Sequence, residues 1–200
     1  MHLLARKTNS PNTKVECEMF KSKFLLFSVA VLATSLTCFA EDTVEVGGAK
    51  MYPSKNIIEN ALNSKDHTTL VAAVKAGDLV KTLQGKGPFT VFAPTNEAFD
   101  GLPKGTVPGL LKPEAKATLV KVLTYHVVAG KHDAASLMKD IKKGKGTATL
   151  TTVEGGMLKV TMKDDKVMVE DAKGGMAQVT IADVMQSNGV IHVVDHVLMP

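Results

Sequence analysis

TVFAPTNEAF, residues 90–99, reads as a strand that stops and a helix that starts. Thr90, Val91 and Phe92 are β-branched or aromatic, which suits a pleated, half-buried surface. Pro94 ends the ladder because it has no N–H to donate. Thr95 then offers its hydroxyl to the first free amides of a helix. Asn96 completes the corner and Glu97 lies in the first helical turn, where the dipole favours an anion. Phe99 can point back into a core. Strand-to-helix corners that bind phosphate carry glycines for close backbone approach. This one has none, so it reads as architecture rather than as a ligand site.

NGVIHVVDHVLMP, residues 188–200, forms the far counterpart. Asn188-Gly189 is a turn signal. Val190 to Val194 is a β-branched run interrupted by His192. Asp195 and His196 break the run, and Val197-Leu198 resumes it. Between the two stretches, Tyr125-His126 closes an apolar segment.

These three features together resemble the fasciclin-like domain family. TVFAPTNEAF matches its first signature segment, Tyr125-His126 its tyrosine–histidine pair and NGVIHVVDHVLMP its second segment. The resemblance runs from about Asn56 to Met199. It implies a wedge-shaped β-sandwich with helices packed along one edge, and a non-enzymatic role in adhesion. Tyrosine–histidine segments of animal relatives are implicated in integrin contact, and some relatives bind carotenoids.

The N-terminus carries an export signal. Lys21 and Lys23 precede an uncharged apolar run, Phe24 to Leu36, and Cys38-Phe39-Ala40 supplies small residues for a peptidase. The run is too short to span a membrane. Residues 19–40 are therefore expected to be a signal peptide cleaved after Ala40, which implies a secreted or periplasmic protein. Residues 1–18 are polar, with Pro11 and Asn12, and fit neither a signal nor a fold. They read as a non-native upstream extension, with Met19 as the true start. A genuine extended leader from Met1 is the alternative. Cys17 and Cys38 both precede the cleavage point, so the exported chain has no thiol and no disulfide. The overall charge of +4 misleads, because residues 1–40 hold five of the 24 Lys and Arg and two of the 20 Asp and Glu. The rest is nearly neutral, which is no nucleic-acid footprint.

Along the exported chain, residues 41–53 are short of any period and are expected to be a flexible lead. The domain is expected over 54–200. Its first half shows helical periodicity: Ile57, Ile58, Ala61 and Leu62; Leu70, Val71 and Val74; a short helix from Asp78 through Leu83; then Leu119, Val120 and Leu123 after Pro113 at a helix start. Asp66 to Thr69 offers caps for the second helix. Asp133 can cap a helix from Ala134 to Ile141. From Ala148 the period becomes two. Strands are expected over 148–153, 157–162, 166–170, 177–182 and 190–197, the first three as a meander. Helices first and strands second make an α+β domain.

Candidate chemistry is sparse. His192 and His196 lie on a strand pattern, where four residues span ~13 Å. Two imidazoles so placed cannot share a metal whose bonds are ~2 Å long. His192 reads as a core histidine hydrogen-bonded to backbone or to a polar side chain, Asp195 as a brace of a nearby turn, and His196 as exposed. His126 is expected to be neutral and locked to the Thr95-Asn96 corner or to nearby backbone. Tyr125 and His126 are the candidate partner-binding residues, with a structural role as the other reading. A bacterial-type export signal speaks against an integrin as their partner.

No nucleophile motif and no phosphate loop is present. Asp164-Asp165 and Glu170-Asp171 read as solvated turn residues rather than a calcium site, which needs a spaced set of oxygens. Lys139, Lys142, Lys143 and Lys145 read as a solvated loop or as a patch for anionic glycans or lipid headgroups. Met157, Met162, Met168, Met176, Met185 and Met199 crowd the last third and read as a plastic core, or as the lining of an apolar groove. The expected function is a monomeric, cofactor-free binding module for a protein or glycan of the envelope or extracellular matrix. The alternative is a carrier of a hydrophobic small molecule such as a carotenoid or lipid.

Overall fold

The computed structural model describes residues 43–200. The upstream extension, the export signal and the cleavage point after Ala40 lie outside the described residues. The chain opens with a hairpin, β1 (Val44–Val46) and β2 (Ala49–Met51). Helices α1 (Ile57–Ala61), α2 (Thr68–Ala76) and α3 (Val80–Leu83) follow, then strand β3 (Phe89–Pro94) and helices α4 (Asn96–Asp100), α5 (Thr106–Leu110) and α6 (Lys116–Tyr125). Strand β4 (Val127–Ala129) and helix α7 (Ala134–Lys143) lead into β5 (Thr147–Thr151), β6 (Met157–Lys163), β7 (Lys166–Glu170), β8 (Met176–Gln186) and β9 (Gly189–Val194). Helices thus fill the first half and strands the second, the α+β order that the periodicity implied. None of the described helices is long and apolar enough to cross a membrane.

One seven-stranded sheet runs in the order β4-β3-β9-β8-β7-β6-β5. Its ends meet: Val128 of β4 bridges Thr152, and Val153 donates its N–H to the Val127 carbonyl at 2.8 Å. The sandwich-like wedge is therefore a single sheet bent back on itself. Two cores result. The first lies between the helices and one face of β3, β9, β4 and β8, with Val91, Ala93, Ile191 and Val193 pointing into it. The second lies inside the bend, where Phe92, Val128 and Val194 meet Leu150, Leu158, Val160 and Val169, with Leu137 and Ile141 of α7 closing it. Strands β3 and β9 are buried on both faces, as a parallel pair requires.

Local sequence accounts for the starts of several helices. Asn56 and Glu59 form a reciprocal capping box on α1. Asp133 Oδ1 accepts from Ser136 N at 2.8 Å and caps α7. Pro113 opens a 3-10 turn, Pro113–Ala115, that runs directly into α6.

The expectation of a flexible lead is overturned. Residues 44–51 form a hairpin whose turn, Gly47-Gly48, has φ of +59° and +72°, a conformation open to glycine. Val46 and Met51 enter the first core. The expectation of a methionine core is overturned as well. Met157, Met162 and Met176 are exposed, at 64%, 39% and 42%, because strand parity or an open sheet corner turns them outward. Met168, Met185 and Met199 are half-buried. Leu62, placed on the buried face of α1 by periodicity, lies past the helix end and is exposed.

Because Met51 is a core residue, Met51→Ala is expected to destabilise the domain by about 2–3 kcal/mol in urea unfolding. A loose lead would leave the midpoint unchanged.

Candidate functional site

The two signature stretches lie side by side. β3 and β9 pair in parallel from Phe89↔Gly189 to Pro94↔Val194. Gly189 admits no side chain, since a Cβ there would stand 2.1 Å from the Phe89 carbonyl oxygen. Phe92 lies opposite His192, and the two rings stack with centroids 5.7 Å apart.

Asn188 clasps the start of α1 and the end of α3 with its amide. Its Oδ1 accepts from Ile57 N at 3.1 Å, and its Nδ2 donates to the carbonyls of Leu83 at 2.7 Å and Gly85 at 3.1 Å. Asn96 does the same at the other end of the strand pair. Its Oδ1 accepts from Thr69 N at 3.0 Å and from the Thr68 hydroxyl at 3.2 Å, while its Nδ2 donates to Lys65 O at 2.8 Å. Asn96 thus caps α2 from a distant position, and the expected local cap among 66–69 is not made. Thr95 caps α4 through Ala98 N at 3.3 Å, and Pro94 and Phe99 flank it as strand end and core side chain. Thr90 donates its hydroxyl to Gly130 O and accepts from His132 N, both at 2.8 Å.

His192 is fully buried; its Nδ1 accepts from Asp183 N at 3.3 Å, and its Nε2–H donates to His132 O at 2.8 Å. His196 is exposed and rests against Asp195. Among the described residues no cluster of three metal-ligating side chains occurs. Asp195 Oδ1 accepts from Gln178 N at 2.7 Å and pins β8 where β9 ends.

Tyr125 and His126 lie at the end of α6 and are 0% and 3% exposed. The Tyr125 hydroxyl donates to Met157 O and accepts from Ala172 N, both at 2.9 Å. His126 Nδ1–H donates to Val122 O at 2.8 Å, and its Nε2 accepts from Leu198 N at 3.0 Å. The lock is therefore made by nearby backbone and by the C-terminal tail, and not by the Thr95-Asn96 corner. As candidate partner-binding residues the pair is corrected: neither side chain reaches the surface of the folded domain. Burial drives the His126 pKa down to about 4, against the opposing Val122 hydrogen bond and Asp171 charge.

Asp171 was assigned to a solvated turn; it is buried instead. Its Oδ2 accepts from Met199 N at 2.9 Å, and its Oδ1 accepts from Lys173 N and Gly175 N. His67, Asn60 and Gln186 are further buried polar residues that carry no local sequence signal. Asn60 and Gln186 hydrogen-bond each other.

Two openings bear on ligand binding. The first core encloses about 50 Å³ among residues such as Ile57, Leu70, Val91 and Leu123. That is well below the ~300 Å³ at which drug-sized pockets begin. The second is a groove of about 530 Å³ between α7 and the start of β7, lined in part by Met138 and Met162.

A model of the family described as Fasciclin domain matches residues 65–200. Protein sll1483 of Synechocystis is 47% identical over 160 residues, covering 80% of this chain and 82% of that protein. Immunogenic protein MPT70 of Mycobacterium tuberculosis is 35% identical over 145 residues, 70% of this chain and 66% of that one. Human periostin is 32% identical over 135 residues, which are 68% of this chain and 15% of periostin. A solved FAS1 domain pair from the insect cell adhesion molecule Fasciclin I shares the fold, with a TM-score of 0.53 and 24% identity over 65% of this chain and 43% of that one.

The buried histidine predicts an acid-sensitive fold. His126 titrates near 6.5 when unfolded and near 4 when folded, so the unfolded chain binds more protons between those values. Stability is expected to be intact above pH 6.5 and to fall by up to about 3 kcal/mol as pH drops toward 4. Burial lowers His67 and His192 in the same direction. Denaturant unfolding across that range checks this, and His126→Gln, though less stable, should show a shallower slope. Asn188→Ala is expected to cost about 2–4 kcal/mol, since it leaves the Ile57 N–H and the Leu83 and Gly85 carbonyls without their partner.

Proposed function

Since the chain belongs to the fasciclin domain family, we propose that it is an exported, non-enzymatic binding module whose folded surface contacts a protein or glycan of the envelope or extracellular matrix. Export rests on the signal pattern of residues 19–40 and cleavage after Ala40. One observation carries the reading. The buried polar groups of both signature stretches and of the tyrosine–histidine pair are engaged inside the domain, from Thr90 on Gly130 to His126 on Leu198, while Glu97 and His196 stay exposed. Such groups hold a scaffold and are not available to a substrate. The insect relative's description as a cell adhesion molecule supports the same class of role.

A second reading, carriage of a small apolar molecule, is favoured by the methionine-lined groove beside α7. The enclosed interior does not favour it, because about 50 Å³ holds no carotenoid or lipid chain.

The first reading is tested by immobilising the exported protein and passing detergent-solubilised envelope over it. Saturable retention of one protein or glycan species is expected. It should survive in a fold-neutral variant of a buried motif residue, such as Thr90→Ser, and fail in some exposed-surface variants. Retention of nothing above a heat-denatured control would end the reading.

A further inference from the structure

Three turns meet at the end of the sheet where β3 and β9 begin. Phe89 N donates to Asn188 O at 3.1 Å, which seats the β8–β9 turn against the loop 85–88. Gly130 N donates to Pro88 O at 2.9 Å and brings the segment after β4 to that loop as well. Ser187 N donates to Lys55 O at 2.9 Å and adds the approach to α1. Gly87 lets the loop lie this close, since a Cβ there would stand 1.9 Å from the Asn188 carbonyl oxygen. Between the turns lies a cleft of about 580 Å³, within the usual range for small-molecule sites.

The lining is polar. Lys86 and Lys131 belong to it, and no carboxylate does. The acids that flank it are turned to helix starts: Glu59 accepts from Asn56 N, Asp133 from Ser136 N and Asp183 from Ala134 N, with Asp133 within electrostatic reach of Lys131. Asn188 and Gln186 line the cleft but are bonded inside the domain. Among the described residues, the exposed side chains of Gln84, Lys86, Lys131 and Ser187 make no hydrogen bond to the protein. Pro88 is the one apolar side chain of the lining, and no aromatic ring belongs to it. An apolar chain therefore has no wall to lie on, and a base has no ring to stack on. Amides, a hydroxyl and bare glycine backbone suit a ligand dense in hydroxyls, and two ammonium groups favour one that also carries oxoanions.

We propose that this cleft binds an acidic saccharide, a sugar unit bearing carboxylate or sulfate, with the oxoanion at Lys86 and Lys131 and hydroxyls at Gln84 and Ser187. The inference rests on the envelope- or matrix-binding reading above and names its ligand class and its place on the surface. Exposed lysines make contacts that water and ions screen, so the affinity of one such site is modest and falls with salt.

The test is a titration of the isotope-labelled exported protein, followed by amide NMR, with hexagalacturonate, sulfated maltohexaose, unmodified maltohexaose and inorganic phosphate. Saturable shifts are expected at the backbone N–H groups of Lys86, Gly87 and Ser187 and at the side-chain amide of Gln84 with an acidic oligosaccharide, and the tighter of the two identifies the oxoanion. Unmodified maltohexaose and phosphate should each bind about tenfold more weakly, because each lacks one half of the contacts. Lys86→Gln combined with Lys131→Gln should weaken the acidic oligosaccharide about tenfold. Lys142→Gln combined with Lys143→Gln on α7 removes the same charge and should change binding by less than about twofold. All four lysines are exposed, so neither pair should move the unfolding midpoint. Equal loss in the two double variants would overturn the proposal, as would phosphate binding as tightly as the oligosaccharides, or shifts confined to α7. If no saccharide binds while the immobilised protein still retains an envelope component, the proposal fails and the binding-module reading stands.

Discussion

The parallel pairing of β3 with β9 is the constraint on which the domain depends. Residues 95–188 lie between these two strands, so the pair closes a loop of most of the domain. Closure cost grows only with the logarithm of loop length, but it must be offset where the strands meet. The offset is local and dense. Phe92, Val190, Val193 and Val194 are buried there, and Gly189 lets the two backbones approach. Asn188 and Asn96 then tie the ends of the pair to α1, α2 and α3. This explains why signature residues concentrate in two short stretches far apart in sequence. Each stretch is half of one interface.

The same constraint decides what the polar residues do. A strand buried on both faces cannot present polar chemistry to solvent. Thr90 and His192 instead join the strand pair to the loop after β4, and Asp195 ties the end of β9 to β8. Tyr125 and His126 extend the logic to the far side of the second core, where they hold the turn after β7 and the C-terminal tail. A loss of attachment on changing these two residues would therefore report a damaged scaffold rather than a lost contact. Burial also keeps His126 neutral, since a proton on Nε2 would remove the acceptor that Leu198 N uses.

Much of this was legible in the residues. The strand–corner–helix of 90–99, the Asp133 cap and the period-two meander follow from local chemistry, and the structure keeps them within a residue or two. What was not legible depends on distance or on parity. Asn96 caps α2 across 27 residues of sequence, which no local pattern records. Asp171 looked like a turn acid because its partner Met199 is the penultimate residue of the chain. The hairpin at 44–51 has strands of three residues, too short to show a period, and its only signal was Gly47-Gly48. The methionines were assigned by composition, whereas which side of a strand each occupies follows from register, and register needs the partner strand.

The closure of the sheet narrows where recognition can take place. An open edge would offer strand addition to a partner, but β4 and β5, the ends of the seven-stranded order, bridge each other through Val128 and Thr152. The faces are filled as well, one by the helices and the other by the sheet's own second half. Recognition is left to side chains on the outer surface and to places where the closed sheet fails to close. One such place is the divergence of β7 and β8 under α7, beside the bulge around Asp183. Met162 is exposed there and Val167 only partly buried, and the groove follows from the geometry that brings β8 across to β9.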